Sequence, residues 1–116
     1  MNLEAQLAHT SIRLHPRVPV DVSVRVFPPH GQAVLGRAED IGCGGIAVYV
    51  PADCAVGDAI QLSFELPHSR VRFGVKGEIR NRNGFRYGIS FDSLTPDEYA
   101  EIERVVRIIA ITHHDR

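Results

Sequence analysis

Residues 18 to 27 read VPVDVSVRVF, with Val18, Val20, Val22, Val24 and Val26 at alternate positions and Asp21, Ser23 and Arg25 between them. Successive side chains of an extended chain point to opposite faces, so this strict period of two predicts a strand with one face buried and the other in water. A helix would scatter the same valines around its circumference. The pattern returns in Ile46, Val48 and Val50, and again in Ile60, Leu62, Phe64 and Leu66, which alternate with Gln61, Ser63 and Glu65. Further strands are predicted over residues 32 to 39, 71 to 80 and 85 to 92, with Phe73 and Phe85 both on the core-facing register. Turn formers separate these runs: Pro28, Pro29, His30 and Gly31; the DIGCGG stretch from Asp40 to Gly45; a loop over residues 51 to 58; Pro67, His68 and Ser69; and Asn81 to Gly84, where Asn-Gly predicts a hairpin.

The period changes after residue 94. Thr95, Pro96, Asp97 and Glu98 combine an N-cap, a proline at the first helical position and acidic residues in the first turn, which predicts a helix over about residues 95 to 112. Tyr99, Ile102, Val106 and Ile109 share one face, and Val105, Ile108 and Ile111 widen the stripe. That face is expected to plug one end of the sheet, with a share left for self-association as a homodimer. Six strands with one apolar face each, followed by one helix, predict an all-β fold with a C-terminal helix, namely a six-stranded antiparallel β-barrel.

Length and charge exclude several functions. At 116 residues the chain is one domain with a single core. A formal net charge of −1 argues against a general nucleic-acid coat, so any anion site has to be local. The apolar stretch from Val105 to Ile111 is far too short for a membrane span and contains Arg107, and the N-terminal MNLEAQLAHTS has neither a basic start nor an apolar run. A soluble, cytoplasmic protein without membrane insertion is expected. Cys43 and Cys54 form no CxxC pair and read as reduced thiols. His9, His15, His30, His68, His113 and His114 lack metal-ligand spacing. No nucleophile–base motif, P-loop or dinucleotide fingerprint is present, so the reading is non-enzymatic, with no cofactor and no metal.

Two short motifs carry chemistry. RLHPR, Arg13 to Arg17, stands directly before the first strand, and DIGCGG, Asp40 to Gly45, precedes the strand that begins with Ile46. Two guanidiniums on a non-helical approach segment, facing a carboxylate in a glycine-rich turn, make a site for an anion that also carries hydrogen-bond donors. The order and spacing resemble the PilZ domain family of cyclic di-GMP receptors, whose signature is RxxxR followed by (D/N)xSxxG. Arg13, Arg17, Asp40 and Gly45 match it, Gly42 stands where the family has serine, and RYGISF, Arg86 to Phe91, resembles the segment that closes the family's barrel.

The resemblance implies a PilZ-type barrel over residues 13 to 116, preceded by a flexible arm over residues 1 to 12. It implies a ligand site of Arg13, Arg17, Asp40, Gly42 and Gly45, in which the arginines bind phosphate and the guanine edge and Asp40 accepts from guanine. The function implied is a stand-alone receptor that binds cyclic di-GMP and relays the signal to a partner protein; the alternative is an adaptor of the same fold that does not bind the nucleotide. A hydroxyl missing at position 42 costs one hydrogen bond, about 0.5 to 1.5 kcal/mol, so Gly42→Ser is expected to tighten a working site. A third reading, single-stranded RNA held on Arg70, Arg72, Lys76, Arg80 and Arg82, lacks an aromatic platform if Phe73 and Phe85 face the core.

Overall fold

The alternating segments form the six strands that their parity predicts: β1 Val18–Phe27, β2 Val34–Ile41, β3 Gly45–Tyr49, β4 Ala59–Glu65, β5 Arg72–Asn83 and β6 Arg86–Ser93, followed by one helix, α1, Pro96–His114. A computed structural model provides this architecture and describes residues 15 to 114. Arg13 and the arm expected over residues 1 to 12 lie outside the described residues. Neighbouring strands are antiparallel throughout, and the order β1-β2-β3-β6-β5-β4 closes into a barrel through the β1–β4 pair. Closure leaves no unpaired strand edge between first and last strands.

Inward-facing side chains fill the barrel with one continuous apolar cluster. Val24, Ile46, Val48, Phe73 and Ile102 are fully covered, and Phe64 stacks on Phe73 with ring centroids 5.1 Å apart. The largest buried side chain is Tyr87, whose hydroxyl donates to the Ala52 carbonyl at 2.6 Å and accepts from the Cys54 amide at 3.0 Å. Its polar tip is thereby satisfied, as burial requires.

Helix α1 begins with a reciprocal cap: the Glu98 amide donates to Thr95 Oγ1 at 3.0 Å, and the Thr95 amide donates to the Glu98 carboxylate at 2.9 Å. Ile102, Val105, Val106 and Ile109 enter the barrel core, which makes the helix a plug for one end. Tyr99 and Ile111, at the ends of the predicted stripe, stay exposed, and Val105 belongs to the buried face. Polar contacts pin the same helix to the loop after β4. Ser69 Oγ donates to Glu101 at 2.5 Å, Arg104 donates to the His68 carbonyl at 2.6 Å, and Arg104 also pairs with Glu101. The helix is not long and apolar enough to cross a membrane.

Three boundaries differ from the sequence expectation. β2 runs two residues further than predicted, so Asp40 and Ile41 belong to a strand and only Gly42, Cys43 and Gly44 form the turn. β5 continues through Asn83, where Asn83 pairs with Arg86, so the hairpin turn is Gly84 and Phe85, with Gly84 at a φ of 64°. Phe85 therefore sits at the hairpin tip and is 54% exposed instead of core-facing. Its ring is covered in part by the Arg82 guanidinium, 5.7 Å from the centroid.

Truncating the plug, Ile102→Ala, is expected to cost about 2 to 5 kcal/mol in urea unfolding, the range for a core cavity. The Arg104 guanidinium and the Ser69 hydroxyl hold the Glu101 carboxyl down to about 2, against an ordinary 4.5. A depressed carboxyl stabilises the fold above its unfolded value and stops doing so as pH falls through its folded value. Stability in Glu101→Gln is therefore expected to fall less steeply between pH 4.5 and pH 2 than in the native chain, measured by thermal unfolding across that window.

Candidate functional site

Register brings the two motifs together. Val18 of β1 pairs with Ile41 of β2, and Pro19 with Asp40. The residues just before β1 must then run alongside the residues just after β2. Arg17 Nη1 donates to Asp40 Oδ1 at 2.9 Å, an ion pair whose side chains are only 22% and 23% exposed. The carboxylate's second oxygen faces Arg86, at 3.5 Å from Nη2, while Arg86 Nε donates to Glu39 at 2.5 Å. Asp40 thus lies between two guanidiniums.

A side chain at either motif glycine would obstruct this arrangement. A Cβ at Gly45 would run into the Ile89 carbonyl and come within 3.0 Å of Arg17 Nη2. A Cβ at Gly42 would come within 2.5 Å of the Pro16 carbonyl oxygen and 3.2 Å of Arg17 Cγ, the former well inside van der Waals contact. Both positions therefore keep glycine for close approach.

The floor beside the ion pair is built from small residues on the outer face of two paired strands. Ala47 of β3 pairs with Gly88 of β6, and Gly45 with Ser90. Ala47 is buried although it faces away from the barrel interior, because the surrounding arginine side chains rise above it. The result is a cleft of about 170 Å3 over Ala47, Gly88 and Ser90, bordered by Arg17, Arg80 and Arg86. Whole-ligand pockets are commonly about 300 to 1,000 Å3, so this cleft accommodates one part of a larger molecule, such as a phosphate or a base edge. A larger cleft of about 550 Å3 opens beside Arg25, Leu35 and Arg72, but no motif residue lines it.

Each of the three bordering guanidiniums has a carboxylate partner: Arg17 with Asp40, Arg86 with Glu39 and, at 3.5 Å, Arg80 with Glu78. The cluster is locally neutral but rich in forked donors and carboxylate acceptors. Cys43, in the turn, donates to the Tyr99 carbonyl at 3.8 Å, and burial pushes its thiol up, away from the thiolate a nucleophile requires. Among the described residues no group of histidines, cysteines and carboxylates is arranged to hold a metal.

Of the residues that the sequence assigns to a site, Arg17, Asp40, Gly42 and Gly45 lie together, and Arg13 is outside the described residues. Arg86 and Glu39 were not assigned to it. Outward parity was available for Arg86, since Tyr87 and Ile89 face the core. Its position beside Asp40 depends on the β3–β6 pairing between distant segments, which local pattern does not reveal.

Comparison with known proteins agrees with the barrel and with the motif order. The model of the PilZ domain matches residues 11–107. The PilZ domain of YcgR from Escherichia coli, described with c-di-GMP, has a similar fold, with a TM-score of 0.70 at 13% identity over 90% of this chain and 95% of that one. The inhibitor of motility MotI/DgrA of Bacillus subtilis gives a TM-score of 0.74 at 13% identity, with 87% of this chain matching about half, 52%, of that one. The PilZ domain of CeSA from a cellulose-synthesizing bacterium gives 0.63 at 19% identity, covering 82% and 98% of the two chains. No curated protein matches the sequence.

The contact at Gly45 is the tightest test of this geometry. Gly45→Ala forces the new methyl against the Ile89 carbonyl across a β-ladder, and is expected to destabilise the fold by about 1 to 3 kcal/mol in urea unfolding, the usual range for overpacking.

Proposed function

We propose that this chain, which belongs to the PilZ domain family, is a receptor domain that binds cyclic di-GMP and relays its presence to a partner protein. The observation that carries the reading is the Arg17–Asp40 pair at the edge of a small-floored cleft. Guanine presents O6 and N7 acceptors on one edge and N1 and N2 donors on another, and a phosphodiester adds charged acceptor oxygens. An arginine fork suits the acceptors and a carboxylate suits the donors. Without ligand, Arg17 and Asp40 satisfy each other. A guanine nucleotide offers each a new partner, so the ion pair can open without leaving either charge bare. Arg13, the first arginine of the signature, supplies a second fork on this reading. The E. coli neighbour with c-di-GMP supports the same ligand class.

The role is regulatory and non-enzymatic, and it is exercised in the cytoplasm, where a soluble nucleotide signal is met. The neutralised cluster favours one rival. Because Arg17, Arg80 and Arg86 already carry carboxylates, a dianionic ligand gains little from long-range attraction, and an adaptor that contacts protein without the nucleotide fits the same surface.

Titration calorimetry with cyclic di-GMP, with GTP and cyclic di-AMP as controls, separates the two. Selective binding at micromolar concentration or tighter is expected. Arg13→Ala and Arg17→Ala are each expected to weaken it by roughly 10- to 100-fold, the worth of about 1.5 to 3 kcal/mol for a charge-assisted bond, with the circular dichroism spectrum retained. No binding by calorimetry or equilibrium dialysis selects the adaptor.

A further inference from the structure

The turn at Gly42 to Gly44 holds the approach segment as well as reversing the chain. Three successive residues of that segment touch it or its neighbours. Arg17 pairs with Asp40, the Pro16 carbonyl rests over Gly42, and the His15 ring lies against Gly44 and edge-on to Tyr99, with centroids 6.1 Å apart and planes at 77°. This is the line the β1–β2 register sets, continued past the last ladder pair without further strand hydrogen bonds. All of these contacts form within the chain itself.

From this arrangement we infer that Gly42 is a positioning residue: its missing side chain lets Pro16 seat on the turn, and that seating holds Arg17 on Asp40 before any ligand arrives. The inference reverses the sequence expectation for this position. Read as a motif, glycine for serine is a lost hydroxyl, and restoring serine should improve the site. Read in three dimensions, a serine brings its Cβ to within 2.5 Å of a backbone oxygen and 3.2 Å of Arg17 Cγ before its hydroxyl meets anything. Backbone cannot rotate aside as the tip of a side chain can, so Pro16 and Arg17 must move together. The new hydroxyl's hydrogen bond, a factor of about 2 to 10 in affinity, competes with displacement of a charged ligand contact, a factor of about 10 to 100. Displacement wins. Glycine at position 42 and the proline before Arg17 therefore act as a pair, one leaving the space and the other presenting a stiff backbone to fill it.

The test has a ligand-free arm and a ligand arm. In the ligand-free arm, Arg17→Ala, Asp40→Ala and the double variant are unfolded in urea, in the native background and in Gly42→Ala. The native cycle is expected to show Arg17–Asp40 coupling of roughly five- to tenfold in the unfolding constant, and the Gly42→Ala cycle close to none. Equal coupling in both backgrounds overturns the inference. If Gly42→Ala does not fold, Pro16→Gly, which loosens the same carbonyl, takes its place with the same expectation and the same overturning result. The ligand arm rests on the proposed receptor reading and uses cyclic di-GMP. Gly42→Ser and Gly42→Ala are both expected to weaken binding by roughly tenfold or more, and Gly42→Ala is expected to add nothing once Arg17→Ala is present, which a general loss of stability would not produce. Tighter binding by Gly42→Ser overturns the inference. If the native chain binds no cyclic di-GMP, the receptor reading fails, and the unfolding cycles still decide the role of Gly42.

Discussion

The pairing of Val18 with Ile41 is the constraint on which both core and site depend. Antiparallel strands run past each other, so one fixed pair dictates everything that follows on either side. Inside the barrel it places Val24 and Val26 in the core. Outside it, Arg17 is carried to Asp40 and the Pro16 carbonyl to Gly42. A slip of one residue would turn the valines outward, and at roughly 1.5 to 3 kcal/mol for each large apolar side chain exposed, the barrel would not survive. The site is thus positioned by hydrophobic burial that has nothing to do with its chemistry. The irregularity between Pro19 and Val22 adjusts the fit: it lets Val18 and Val24 both face inward although one ladder position is skipped between them.

What could be read from the sequence follows from how local each determinant is. The valine alternation of β1, the apolar run of β4 and the Thr95–Glu98 cap each act within a few residues, and each was legible. The interior ends of β2 and β5 were not. Strand pairing carried Asp40 and Ile41 past the point where glycines suggested a turn, and it held Asn81 to Asn83 in the ladder although asparagine disfavours strands. Phe85 shows the result: its parity pointed inward, but the two-residue turn put it at the tip. For the site, the motif spacing identified Arg17, Asp40, Gly42 and Gly45, because these meet through the β1–β2 pair. Arg86 and Glu39 joined them through β3–β6 closure, where Tyr49 pairs with Arg86 and Ala47 with Gly88. Segments some forty residues apart were brought side by side there, and no local pattern encodes that contact.

Position 42 shows why a motif is an incomplete description of a site. A motif records side chains, and at this position the side chain is absent. What occupies the space instead is the backbone of another motif, at Pro16. Substitutions at a glycine of this kind are decided by the neighbour's freedom to move, and a carbonyl that precedes the ion-paired Arg17 has little.

The electrostatics of the cluster bear on which ligands it can distinguish. With Arg17, Arg80 and Arg86 each matched to a carboxylate, the cleft offers no large positive potential, and at physiological salt such compensated charges are screened beyond about 8 Å. A bare phosphate approaching Arg17 would also approach Asp40, and the repulsion would offset much of the gain. A ligand that brings a donor edge for the carboxylate together with an acceptor for the guanidinium avoids this conflict, because each charge exchanges one partner for another. On the proposed reading, the ion pairing that weakens general anion attraction is therefore what makes the site selective: it favours molecules that carry both chemistries at the spacing of Arg17 and Asp40, as a guanine nucleotide does, over those that are merely negative.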